Sequence, residues 1–356
     1  MVKMYIEDNR VTTTSIIPIN LDGTSFPILG ESITFLDVGR EEEFKYFDRL
    51  KDAIGRTNEP RFRFPYEADI IFNNRIYRVA DFECSKADDD IKNPRILDIC
   101  CMEICKQSYL VLIDANNMKI KMASIYGDWI SNAYTFPKRP NRLSKINDNS
   151  LAIIYENSST IDLLKLEEDK SFILTKRLSV GSDIIQHIKG IVALTENYFL
   201  LTNGSKCFIF EDGKLKGQDE SPTMSLARRF AKAMKNNYIF IADENDRRLI
   251  WLDKDGTVLH AQEKWNSSLY NVRGIAASDS KIYAAVSNAV LCFNYNVRSD
   301  VSNSTPYSID EADRIIRFQR PVDHNRAICL NNTGQYLVLS QVIDEKDHIR
   351  IFRLHS

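Results

Sequence analysis

Six short apolar runs, each closed by a polar residue, recur from about residue 95 and constrain the chain more than any other feature. They occupy residues 109–114, 151–156, 198–203, 238–243, 282–287 and 336–340. Their closing residues, Asp114, Glu156, Asn203, Asp243, Ser287 and Ser340, stand 42, 47, 40, 44 and 53 positions apart. Each run is rich in aromatic and β-branched side chains and too short for a helix, so it reads as a buried strand. A further strand follows each after a polar turn, at 119–122, 161–164, 207–210, 249–252, 290–293 and 349–352. A weaker apolar segment precedes each. Four short strands with tight turns need about 45 residues, and such a sheet buries its faces only against its neighbours. The repeat predicts an all-β fold, a β-propeller of six blades, with seven as the alternative.

Turn chemistry supports this division. Glu211-Asp212-Gly213-Lys214 and Asp253-Lys254-Asp255-Gly256 place Asp-Gly where a hairpin needs positive φ. The second fragment also looks like the start of a calcium loop, but the residues that follow form a strand and supply no distal carboxylate. The last unit shows only three strands, at 327–330, 336–340 and 349–354. An unpaired edge there would invite aggregation. Residues 68–72 and 75–80, read as a hairpin across Asn73-Asn74, are expected to close the ring. Residues 1–60 read as a decoration or a partial blade, and 61–356 as the propeller. Within the first segment, 32–37 reads as a strand and 41–54 as a short helix. Phe44, Phe47, Leu50 and Ile54 share one face of it, Glu41, Glu42 and Glu43 suit its N-terminus, and Gly55 its stop.

The stretch from Tyr238 to Gly256 resembles an NHL repeat. It runs strand, Ala242-Asp243, a polar turn with Asn245 and Arg247, strand, then Asp253-x-Asp255-Gly256. Residues 112–120 form a weaker second copy, and the strand rhythm extends over 95–356. The resemblance implies a six-bladed propeller that binds protein or RNA; a few similar propellers are hydrolases or lyases.

The expected inner strands begin with or beside basic residues: Arg95, Arg142, Lys189, Arg228, Arg273 and Arg326. In a propeller these starts meet around one mouth of the central channel, where six cations would focus a positive potential. Arginine also suits two-pronged capture of phosphate or carboxylate. The pattern points to a ligand site for a phosphorylated small molecule, an acidic peptide or a nucleic-acid backbone. The alternative is purely structural pairing with Asp98, Asp114, Glu156 and Asp243. The cluster 228–235 is read as an inner strand and not as a basic helix.

Signals for catalysis are sparse. The sequence has no Gly-x-Ser-x-Gly elbow and no glycine-rich phosphate loop. Its five His are scattered, and Asp98 and Glu103 are the carboxylates near inner strands that could serve as bases. Cys101 and Cys105 lack a second ligand pair, so no metal and no cofactor are expected. Formal net charge is −2, which supplies no global attraction to nucleic acid or membrane. Seven Cys in apolar surroundings suggest reduced thiols. With no signal-peptide core and no span of membrane length, the expectation is a cytoplasmic, non-enzymatic binding or scaffold propeller, the alternative being a hydrolase or lyase with its active site in the central channel. Its partner is a protein or an anionic ligand, with RNA possible and no membrane.

Overall fold

The structure is a computed structural model that describes residues 2–8, 11–17, 19–20, 36–37 and most of the chain from residue 70. Beyond 70 the exceptions are 73–75, 85, 88, 105–106, 126–128, 182–184, 220–226, 234–236, 263–268, 270, 288, 298–305, 319–323 and 355–356. Two compact units divide it, Met1–Ala68 and Asp69–Ser356. In the first, Val2–Asp8 pairs antiparallel with Val11–Ile17, and Ile19–Asn20 lies parallel to Leu36–Asp37. The last two residues of the strand expected at 32–37 are thus in a strand. The helix expected at 41–54 lies outside the described residues.

The second unit is a six-bladed β-propeller, with no α-helix among the described residues. Its inner strands are Ile96–Ile104, Pro140–Asn147, Gly190–Ala193, Ala227–Lys232, Gly274–Ala277 and His324–Leu330. Each packs against the inner strand of the next blade, and the sixth returns to the first. The six apolar runs are the second strands, from Gln107–Asp114 to Tyr336–Ile343. The two Asp-Gly turns form as read. Asp212 and Gly213 both take positive φ (52° and 75°). The Asp253 carboxylate accepts the amides of Asp255 and Thr257 at 2.9 and 2.8 Å, so it organises its own turn.

Because strand side chains alternate, each blade presents one apolar face to each neighbour. The core accordingly falls into six clusters, one per blade interface. The largest aromatic group lies between the fourth and fifth blades. There Trp251, fully buried, meets Tyr238, Phe240, Tyr295 and Tyr307 with ring centroids 5.0–5.5 Å apart. Burial of each such ring removes about 150–250 Å² from water.

Residues 68–80 do not form the expected hairpin. Ile70–Phe72 pairs with Asp313–Phe318 as an extra outer strand of the fifth blade, whereas Ile76–Glu83 pairs with Lys346–Leu354 as the outer strand of the sixth. Two segments with only 73–75 between them thus serve different sheets. Lys346–Leu354 gives Ile76–Glu83 seven paired residues, more than the three-residue strand Ile70–Phe72 could. The fifth blade also carries Tyr307–Ile309 against the far half of Ala289–Val297, which accounts for the wide fifth-to-sixth spacing.

A buried polar clasp runs through all four strands of the sixth blade. Arg350 Nε donates to Asp81 Oδ2 at 2.9 Å and its Nη1 to Gln341 Oε1 at 2.9 Å. Gln341 Nε2 donates to Asn325 Oδ1 at 2.6 Å, and Asn325 Nδ2 donates to the Val286 carbonyl of the fifth blade. His348 Nδ1 lies 3.4 Å from the other Asp81 oxygen. Each buried side chain of this clasp thus has a hydrogen-bond partner, as a dry interior demands.

Candidate ligand site in the central channel

The inner strands enclose a cavity of about 490 Å³, within the range of small-molecule sites. Its shape depends on how closely the strands approach. A Cβ on Gly190 would fall 2.5 Å from the Phe230 ring and 2.8 Å from Thr202 Cγ2. A Cβ on Gly274 would sit 3.1 Å from the Ile328 amide nitrogen. Glycine at these positions lets the third strand meet the fourth, and the fifth meet the sixth, without a side chain between them.

What faces the cavity is decided by β-bulges. Four inner strands slip register at their start, between Ile96 and Asp98, Pro140 and Arg142, Ala227 and Arg229, and Asn325 and Ala327. A bulge re-aims the side chain that follows it. It brings Asp98, Arg142 and Arg229 to the same end of the cavity wall, where Arg273 joins them.

The six residues nominated by sequence therefore separate. Arg142 and Arg273 line the cavity; Arg95, Lys189 and Arg326 are not on its lining. Arg95 is exposed, and its backbone amide donates to Asp114 Oδ1 at 2.9 Å. The Lys189 side chain runs past Gly204. Arg326 lies 3.2 Å from Asp347, although the Nε and Oδ1 atoms concerned are too misaligned to hydrogen-bond. Arg228 falls in a bulge, and its side chain lies outside the described residues. Its neighbour Arg229, not nominated, is the cavity residue. Alternation counted from the bulge would have found it.

The suggested structural pairings distribute differently too. Asp114 lies 3.7 Å from Lys121, Glu156 3.2 Å from Arg139 and Asp243 3.8 Å from Arg248. Asp98 accepts the amides of Leu143 and Ile99, both at 3.1 Å. Burial raises its carboxyl above the ordinary value, against the pull of Arg142 and Arg229. Burial, with Arg142 and Arg273 as like-charged neighbours, pulls the Arg229 guanidinium down to about 9, against Asp98 and Glu244. It is still charged at neutral pH. Among the described residues, no carboxylate forms an ion pair with Arg229 or Arg273, and Arg229 Nε is buried without an acceptor. This end of the cavity is a concentration of positive charge in which Arg229 keeps an unspent donor.

At the opposite end polar contacts link three blades. Asn332 of the sixth blade accepts from Lys145 at 2.5 Å and donates to Asp148 at 2.7 Å and Glu103 at 3.4 Å. Lys232 donates to the Ala193 carbonyl at 3.0 Å. Among the described residues, no group of three or more His, Cys, Asp or Glu is arranged to hold a metal.

No protein family matches the sequence, and no curated protein does. Solved structures do resemble the fold. Virginiamycin B lyase from Staphylococcus aureus is 10% identical, with a TM-score of 0.50 over 79% of this chain and 100% of its own. A nidogen/laminin complex contains a chain 13% identical, with a TM-score of 0.45 over 64% of this chain and 89% of its own. At such identities the likeness to the lyase is one of fold: this chain shares the architecture of a six-bladed propeller.

Proposed function

We propose that the protein is a binding platform whose central channel receives an anionic group, a phosphate or a carboxylate of a small molecule or acidic peptide, between Arg142, Arg229 and Arg273. The observation that carries this reading is the unbalanced charge of the site. Arg229 and Arg273, with no ion-pairing carboxylate among the described residues, meet Arg142 at one end of a cavity where Asp98 is the lining carboxylate, and both its oxygens already accept backbone amides. Like charges held together in a partly dry site are stabilised by a counter-charge, and the lining leaves that place open to a ligand. The NHL-like stretch at 238–256 supports an interaction module. A lyase or hydrolase on this scaffold would need a free base at the same mouth, and the engagement of Asp98 favours binding over catalysis.

The test is calorimetric titration of the full chain with pyrophosphate and with a Glu-rich hexapeptide at low salt. Arg229→Gln and Arg273→Gln are expected to weaken binding by roughly tenfold each, the effect of losing one charge-assisted hydrogen bond. Arg95→Gln, off the lining, should leave it unchanged. Absence of binding to either anion, or an equal loss in Arg95→Gln, would refute the reading. An RNA ligand would instead show a salt dependence much steeper than three phosphate contacts produce.

A further inference from the structure

Alternation along Ile96–Ile104 sends Cys100 into the interface with the second blade and Cys101 into the interface with the sixth. Cys329, on the inner strand of the sixth blade, meets Cys101 there with the two Sγ atoms 3.6 Å apart. Both residues line the central cavity, and both are free thiols. These two strands are where the ring joins its first blade to its last. We propose that Cys101 and Cys329 form an oxidisable pair, which a small peroxide entering the channel converts to a disulfide that covalently fastens the seam of the propeller.

The chemistry balances without another reagent. One sulfur attacks a peroxide oxygen, the O–O bond breaks, and a sulfenic acid and one water result. The second sulfur then attacks the sulfenic sulfur, the S–S bond forms and the hydroxyl leaves as a second water. Two thiols lose two electrons and two protons, and one hydrogen peroxide becomes two waters. An S–S bond of about 2.05 Å requires the sulfurs to approach by roughly 1.5 Å, within reach of side-chain rotation and a small shift of the two strands. Burial and the neighbouring Cys101 sulfur push the Cys329 thiol well up. Cys329 therefore rests protonated and reacts slowly, and the buried site favours a small neutral oxidant over a bulky or charged one. The cross-link would span 228 residues, and constraint of the unfolded chain grows with loop length.

The experiment treats the full chain with hydrogen peroxide, alkylates remaining thiols and maps the unreduced digest by mass spectrometry. The expected product links the Cys101 and Cys329 peptides, disappears on reduction, is absent from Cys101→Ala and Cys329→Ala, and survives in Cys100→Ala. Oxidation should raise the thermal midpoint by at least roughly 5 °C, reversibly with dithiothreitol. Should either variant fail to fold, the map of the wild-type chain decides alone. The proposal is overturned if exposed Met118 has become sulfoxide while Cys101 and Cys329 are both recovered as alkylated thiols, or if the cross-link runs through Cys100.

Discussion

Replacement of Asp81 by Ala tests whether the polar clasp holds the outer strand on the sixth blade. The ion pair it removes is dry, with side chains 6% and 2% exposed for Asp81 and Arg350. Losing one partner of such a pair strands the other charge, at a cost of about 3–5 kcal/mol. Arg350 keeps Gln341 as an acceptor and lies over the Phe318 ring at 5.9 Å, so the lower end, about 3 kcal/mol, applies. For a unit of this size each kcal/mol moves the midpoint by about 2–4 °C, giving a fall of about 6–12 °C. Urea unfolding followed by circular dichroism and tryptophan fluorescence measures it directly. The double variant Asp81→Leu, Arg350→Met replaces the charges with apolar volume and should recover most of the loss. Acid supplies a second readout. Burial raises the Asp81 carboxyl, but the His348 hydrogen bond and the charges of Arg350 and Arg78 outweigh it and hold it below its ordinary 3.8. Its contribution is full above about pH 4 and disappears as pH falls through the lower native value. Asp81→Asn should erase that acid dependence. If Asp81→Ala unfolds within 1 kcal/mol of the wild type, or the double variant loses the sum of the singles, the clasp does not close the blade.

Two other substitutions probe the ring. Gly190→Ala forces a methyl group to within 2.5 Å of the Phe230 ring and should destabilise by about 1–3 kcal/mol, with partial recovery on adding Phe230→Leu; a neutral result in urea unfolding would show that the strands do not approach as described. Asp347, raised to about 6 chiefly by burial against the pull of Arg326, takes up its native-state proton more tightly than the unfolded chain does. Stability should therefore decline as pH rises from about 4 to about 6, and Asp347→Asn should flatten that limb in a series of urea titrations; an unchanged limb would place the proton elsewhere.

The rhythm of the fold was open to reading because each second strand buries nearly every residue and so carries a run of large apolar side chains. Tyr109 to Asp114 and Ile239 to Asp243 are buried end to end. Pairing was less open. Ile70–Phe72 and Ile76–Glu83 look like hairpin halves because their local pattern is that of two strands and a turn, and nothing nearby in sequence reveals the partners at 313–318 and 346–354. The channel wall was half visible. Arg142 and Arg273 could be placed from their position at the strand starts, but one inserted residue at each bulge exchanges Arg228 for Arg229 and brings in Asp98. A bulge is set by the twist of the sheet and its neighbours, which a single chain of letters does not display. The meeting of Cys101 with Cys329 is likewise a property of ring closure alone.

The pairing of Ile76–Glu83 with Lys346–Leu354 bears on how the protein is made. Asp81 leaves the ribosome 269 residues ahead of Arg350. Until then the early strand has no mate and presents bare amides and carbonyls, a template for the wrong chain. Bringing the two together is cheap in free energy, since loop entropy grows only logarithmically, yet slow in time. A product cut short before residue 346 would never hide that template, so the circle itself distinguishes finished molecules from aborted ones.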